Sequence, residues 1–169
     1  MTIRRVFMFA ACLSAAWCVW AAQTGVAGEA NAAWQEIFPG ARFVDNGDYT
    51  TAMEQNGALL GYCMETQARG YGGVIQVAVG LGPDGNVLKV KVLSCDGETP
   101  GLGQKVKEES FLSQFEGTFA FFTKGMNGTS VAKYIDGIAS ATYSSQGVVD
   151  AVNQALAIYS GQIMGGEAR

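Results

Sequence analysis

Four serine and threonine hydroxyls crowd the ten residues from Asp136 to Ser145: Ser140, Thr142, Ser144 and Ser145. A periodic apolar run follows at once, so the hydroxyls stand where a helix begins. The first N–H groups of a helix have no carbonyl to bond within it, and a hydroxyl or an anion can take them. Ser144 or Ser145 can serve as an ordinary cap, with Thr142 about one turn ahead of the first apolar residue. The same arrangement, surrounded by small Ala and Gly residues, can instead receive a phosphate. A second stretch with chemical potential is "DGETPGLGQKV", Asp96 to Val106. Gly97, Pro100, Gly101 and Gly103 directly after a strand-like run prescribe the backbone and leave its N–H groups able to face a ligand. Glu98 and Thr99 add an acceptor and a hydroxyl. A plain strand-to-helix loop accounts for the stretch equally well, and the GxxxxGK[ST] spacing of a phosphate-cradling loop is absent.

The elements that would hold these stretches form one α+β unit, a twisted, mostly antiparallel sheet with flanking helices. Residues Ala30 to Phe38 read as a short helix with Trp34, Ile37 and Phe38 inward, stopped at Pro39-Gly40. Tyr49 to Met53 and Leu59 to Met64 are strands around Asn56-Gly57, and Val74 to Leu81 and Val87 to Leu93 flank Gly82-Pro83-Asp84-Gly85. Alternation in Val87-Leu88-Lys89-Val90-Lys91-Val92 gives the second hairpin one wet face. Short helices are expected around Gln104 to Glu109 and Phe111 to Phe115, and further strands at Phe119 to Phe122 and Ser130 to Ile135. Val148, Val152, Leu156, Tyr159 and Ile163 fall on one helical stripe.

At 169 residues, 49% of them hydrophobic, the chain suits one domain with a substantial core. It contains no histidine, which excludes His-ligated zinc, CxxCH haem attachment and Ser-His or Cys-His nucleophiles. Arg4 and Arg5 precede an uncharged apolar run from Val6 to Ala22, the layout of a secretory signal or an inside-anchored helix. Residues 1–27 are accordingly read as signal peptide or membrane anchor, and 28–169 as an extracytoplasmic domain. That domain carries nine basic and fifteen acidic residues, a balance that does not favour nucleic acid. Its two cysteines, Cys63 and Cys95, can pair as a disulfide or stay as inert buried thiols.

Taken together, "GETPGLGQKV" and "DGIASATYSS" resemble the paired signatures of one flavoprotein family. It comprises the FMN-binding domains in the G subunit of the Rnf electron transport complex and in the C subunit of the sodium-pumping NADH:quinone reductase. The family's attachment signature, Asp-x-Ile/Leu-Ser/Thr-Gly-Ala-Thr, falls on Asp136 to Thr142, with Ala139 in place of Ser or Thr and Ser140 in place of Gly. "IFPGARF" and "ARGYGGVIQVAVGLGPDGNV" extend the likeness over about residues 30 to 163, and Tyr71-Gly72-Gly73 favours the Rnf branch.

The resemblance implies FMN held by a phosphoester on Thr142, installed by a separate flavin transferase using FAD and Mg²⁺. Glu98, Thr99, Gly101, Leu102, Gly103, Ser140 and Ala141 would surround the cofactor, and Lys124 would lie near the flavin and stabilise its reduced form. It implies no substrate chemistry and no metal ligands. The domain would carry electrons on the periplasmic face of the inner membrane as the G subunit of an ion-translocating ferredoxin:NAD⁺ oxidoreductase, beside other Rnf-type membrane subunits. A free-standing secreted FMN carrier and a cofactor-free binding module are the competing readings.

Overall fold

The computed structural model describes residues 31–117, 119, 121–124 and 132–165. The segments 1–27 and 125–131 lie outside the described residues. Helix α1 covers 31–37 and leads into β1 (Arg42–Asp45), β2 (Thr50–Met53), β3 (Leu59–Arg69), β4 (Val74–Leu81) and β5 (Val87–Ser94). These five strands form one antiparallel sheet in sequence order. Sequential order follows from short connections. At β2–β3, Gly57 at φ +91° donates to Glu54 while the Glu54 N–H closes on Ala58, and Gly85 at φ +80° makes the equivalent turn between β4 and β5. Both glycines occupy backbone space that side chains resist.

After β5 the chain runs through a 3₁₀ turn (Gly103–Lys107), the short α2 (Glu109–Leu112) and a second 3₁₀ turn (Ser113–Phe115). Strands β6 (Phe121–Lys124) and β7 (Ala132–Ile135) then pair in parallel as a separate ribbon rather than continuing the antiparallel sheet. Asn153 explains where the ribbon sits: its side chain accepts from the Phe122 N–H at 2.8 Å and donates to the Phe122 carbonyl at 2.9 Å. The last helix, α3 (Thr142–Ile158), continues as a π turn (Tyr159–Met164).

Each face of the sheet has its own cover. Met64, Ile75, Val77, Val79, Leu81, Val90 and Val92 pack with Val148, Val152, Leu156, Tyr159 and Ile163 and with Phe115, so the predicted stripe on the last helix is the core-facing one. The buried Thr66 hydroxyl donates to the Ala151 carbonyl at 2.9 Å, tying β3 to the middle of α3. On the opposite face Phe38, with Trp34 and Ile37 beside it, covers Ala52 and Cys63. The face expected to be wet is therefore half dry. Lys89 and Lys91 keep solvent contact and Lys91 pairs with Glu36 on α1, but Ala78 is fully buried and a Cβ on Gly80 would run into Ile37. Cys63 and Cys95 are free, buried thiols. Burial pushes the Cys63 thiol up to about 12, and burial likewise raises that of Cys95.

Candidate functional site

Three chain segments converge at the N-terminal end of α3. The first is Gly70–Gly73, which joins β3 to β4; the second is the loop after β5; the third is the lead into α3. Their meeting point is Glu98, which is only 1% exposed. One carboxylate oxygen accepts the Gly72 N–H at 2.9 Å and the other accepts the Ser144 hydroxyl. Two of the loops touch backbone to backbone, since a Cβ on Gly72 would lie 1.8 Å from the Gly97 carbonyl oxygen. Gly103 is also tightly placed, though against side chains: a Cβ there would come within 2.7 Å of Glu98 and 2.8 Å of Ser144.

The lead into α3 is braced by Ser145. Its hydroxyl donates to the Ala141 carbonyl at 2.9 Å and accepts the Ile138 N–H at 3.0 Å. Between them Ser140 stands at φ +63°, the one described non-glycine residue with positive φ. The helix starts at Thr142 with Ala141 at its N-cap position, and no side chain caps it. The expectation that Ser144 or Ser145 caps the helix is thus corrected. Both lie inside the first turn, where they serve Glu98 and the preceding loop instead.

A cavity of about 430 Å³ opens at this junction, a size ordinary for a small-molecule site. Thr99, Leu102 and Gly103 line one side of it, and Ser140, Ala141 and Thr142 line the other. Thr142 is exposed at the first helical position. Glu98 stands behind the wall rather than in it, with both oxygens engaged by the protein. Gly101, at φ +74° with open space where a side chain would go, is not among the residues lining the cavity. Lys124 ends β6, opposite Ile135. Three residues of the lining were missed by reasoning from sequence: Tyr71, Tyr143 and Ser144. Ser144 could have been found from the helical stripe, because it precedes Val148 by four residues and so faces inward. The same stripe turns Tyr143 outward beside Thr142. A second cavity of about 500 Å³ lies near α1 and Ile158, at the other end of α3, and includes none of these residues.

The arrangement fits a phosphorylated cofactor with an aromatic ring. The start of a 17-residue helix supplies N–H groups and a positive dipole end for a phosphate. The small side chains of Ser140 and Ala141 let it approach, and the apolar and aromatic rim offers surface to a ring. Fold and cavity thus define a small α+β cofactor-binding domain.

The chain belongs to the FMN-binding domain family, whose model matches residues 70–157. It is 31% identical over 105 residues to the G subunit of the proton-translocating ferredoxin:NAD(+) oxidoreductase complex of Clostridium ljungdahlii, covering 62% of this chain and 56% of the relative. With the G subunit of the ion-translocating oxidoreductase complex of Methanosarcina acetivorans it shares 32% over 117 residues, 68% of this chain and 59% of the relative. The chain thus spans little more than half the length of these relatives. Among solved structures it matches NqrC of Shewanella oneidensis (TM-score 0.52, 21% identity, 69% of this chain and 63% of that one). It also matches the C subunit of the Na(+)-translocating NADH-quinone reductase of Parabacteroides distasonis (TM-score 0.56, 24% identity, 66% and 61%). These two likenesses establish the fold.

Proposed function

We propose that the chain is an extracytoplasmic electron carrier that holds FMN as a phosphoester on Thr142 and works as the G subunit of an Rnf-type ion-translocating ferredoxin:NAD⁺ oxidoreductase. The observation that carries this reading is the position of Thr142, first in α3 and on the wall of a cavity built from the two signature stretches. Its hydroxyl would take the FMN phosphoryl from FAD through a flavin transferase, forming the Thr142 phosphoester and releasing AMP. The flavin supplies reversible electron transfer. The protein's part is to attach, orient and shield it. Thr142 and the N–H groups of the first turn hold the phosphate, Ser140 and Ala141 shape the approach, and Thr99, Leu102 and Gly103 form the facing wall. Glu98 fixes the relative positions of those walls, Gly101 gives the loop its positive-φ turn, and Lys124 would offer positive charge to the reduced flavin.

On this reading residues 1–27 export or anchor the domain 28–169, and other Rnf-type membrane subunits exchange electrons with it at the periplasmic face of the inner membrane. A free-standing secreted carrier is the second reading. Co-purification of membrane subunits with the tagged chain separates the two.

The decisive experiment is co-expression with a flavin transferase, followed by denaturing electrophoresis and in-gel flavin fluorescence. The unaltered chain and Ser144→Ala should fluoresce and Thr142→Ala should be dark. Undiminished fluorescence in Thr142→Ala would overturn the attachment site, and a dark unaltered chain would overturn covalent attachment.

A further inference from the structure

Two large aromatic side chains at the mouth of the cavity are held out of the core. Tyr71 is 71% exposed and Tyr143 69%, and both line the site. Their ring centroids lie 6.3 Å apart with the planes tilted by 35°. Tyr71 comes from the β3–β4 loop and Tyr143 from the second position of α3, so the contact joins two elements at the cavity. No packing requirement explains either placement. The stripe that buries Val148 and Val152 directs Tyr143 away from the core, and glycines flank Tyr71 on both sides.

We infer that Tyr71 and Tyr143 form an aromatic clamp that receives the two faces of the flavin ring. The inference rests on FMN being attached at Thr142, the residue next to Tyr143. Carbon atoms in contact stand about 3.5–4.0 Å apart, so a planar ring between two others needs about 7–8 Å. The tilted rings, with centroids 6.3 Å apart, now touch each other, so both must open to admit the flavin. Both rings are largely in solvent, so each can swing outward by the small amount required. The backbones beneath them do not share that freedom: Gly72 is bonded to Glu98, Ser144 is bonded to the same carboxylate, and Gly72 abuts Gly97. The clamp therefore has fixed hinges and movable faces. Stacking of aromatic faces in offset geometry supplies the attraction and selects a flat, extended ring over a sugar or an alkyl group.

Tyrosine in contact with an excited flavin quenches its fluorescence: the phenol gives one electron to the excited ring and takes it back, with no net reaction. A tyrosine that merely shapes the loop does not. The test uses the full chain matured with the transferase, and compares folded-state flavin fluorescence per covalently bound flavin. Tyr71→Phe and Tyr143→Phe should each raise it by up to about twofold, since the remaining tyrosine still quenches, while keeping the visible circular dichroism of the bound flavin, because stacking persists without the phenol. Tyr71→Leu and Tyr143→Leu should raise fluorescence and also lose much of the dichroism. Both positions are exposed, so all four variants should fold. If the flavin is attached but its fluorescence changes at only one position, or at neither, the clamp is wrong and the attachment site stands. If the unaltered chain carries no covalent flavin, the attachment reading fails and the clamp fails with it.

Discussion

Ser140 holds a backbone conformation, φ +63°, that L-residues other than Asn and Asp seldom adopt. Its place in the attachment signature, where the family has Gly, anticipates this geometry. The strain should be about 1–2 kcal/mol, less the extra chain entropy that Gly brings to the unfolded state. Ser140→Gly is therefore expected to stabilise the domain by about 1 kcal/mol, read as a higher denaturant midpoint at constant slope. No stabilisation would mean that Ser140 makes a compensating interaction. Glu98 carries the opposite kind of cost. With its carboxylate 1% exposed, loss of the Ser144 hydroxyl leaves one oxygen unpaired in the interior. Ser144→Ala should lower stability by about 1–3 kcal/mol without removing covalent flavin. The sequence could indicate that a serine at this position faces inward; it could not indicate a partner 46 residues away.

The hairpins and the last helix were legible because their signals are local: turn glycines, alternation and a stripe of apolar residues. The glycine signal around the site was harder to interpret. Glycine density suggests space for a ligand, yet at Gly72 the space is taken by the Gly97 backbone, which cannot move aside as a side chain would. Gly72→Ala is thus expected to be severe, about 4 kcal/mol or more, at the far end of single-residue effects, and to impair flavin loading. Gly101 meets open space, so Gly101→Ala should cost only the positive-φ penalty of about 1 kcal/mol and retain flavin. Thermal or denaturant unfolding of the two variants side by side checks the contrast. Equal effects would show that the loops separate easily. Strands near β6 and β7 were expected from sequence, but not their parallel pairing or their placement, which depends on Asn153, on a different element.

At the scale of the molecule, α1 seals the second face of the sheet and Cys63 beneath it. The folded state holds the Cys63 proton up to about 12, whereas an unfolded thiol releases it near about 8.5. The sign follows from linkage: this contribution is complete below the unfolded value and is lost as pH rises from there towards the folded one. Denaturant midpoints should therefore fall across that alkaline range, and Cys63→Ala should flatten the fall relative to the unaltered chain. An identical slope in both would remove the thiol from the explanation. Among the described residues no helix is long and apolar enough to cross a membrane; the proposed export of the domain is tested separately. An alkaline phosphatase reporter placed after Arg169 should be active in intact cells; an inactive fusion would place the domain in the cytoplasm.

The three-way bond at Glu98 has a consequence for timing. Its partners Gly72 and Ser144 lie 26 and 46 residues from it along the chain, so the junction that presents Thr142 does not exist in a nascent or threading polypeptide. On the attachment reading, maturation must wait for translocation and folding, and cofactor loading becomes a report that the sheet has closed. A chain kept unfolded by Val152→Asp should escape labelling even though every residue of the attachment signature is intact. A short peptide of residues 136–145 labelled as readily as the whole domain would show that the transferase reads sequence alone and that no such order is imposed.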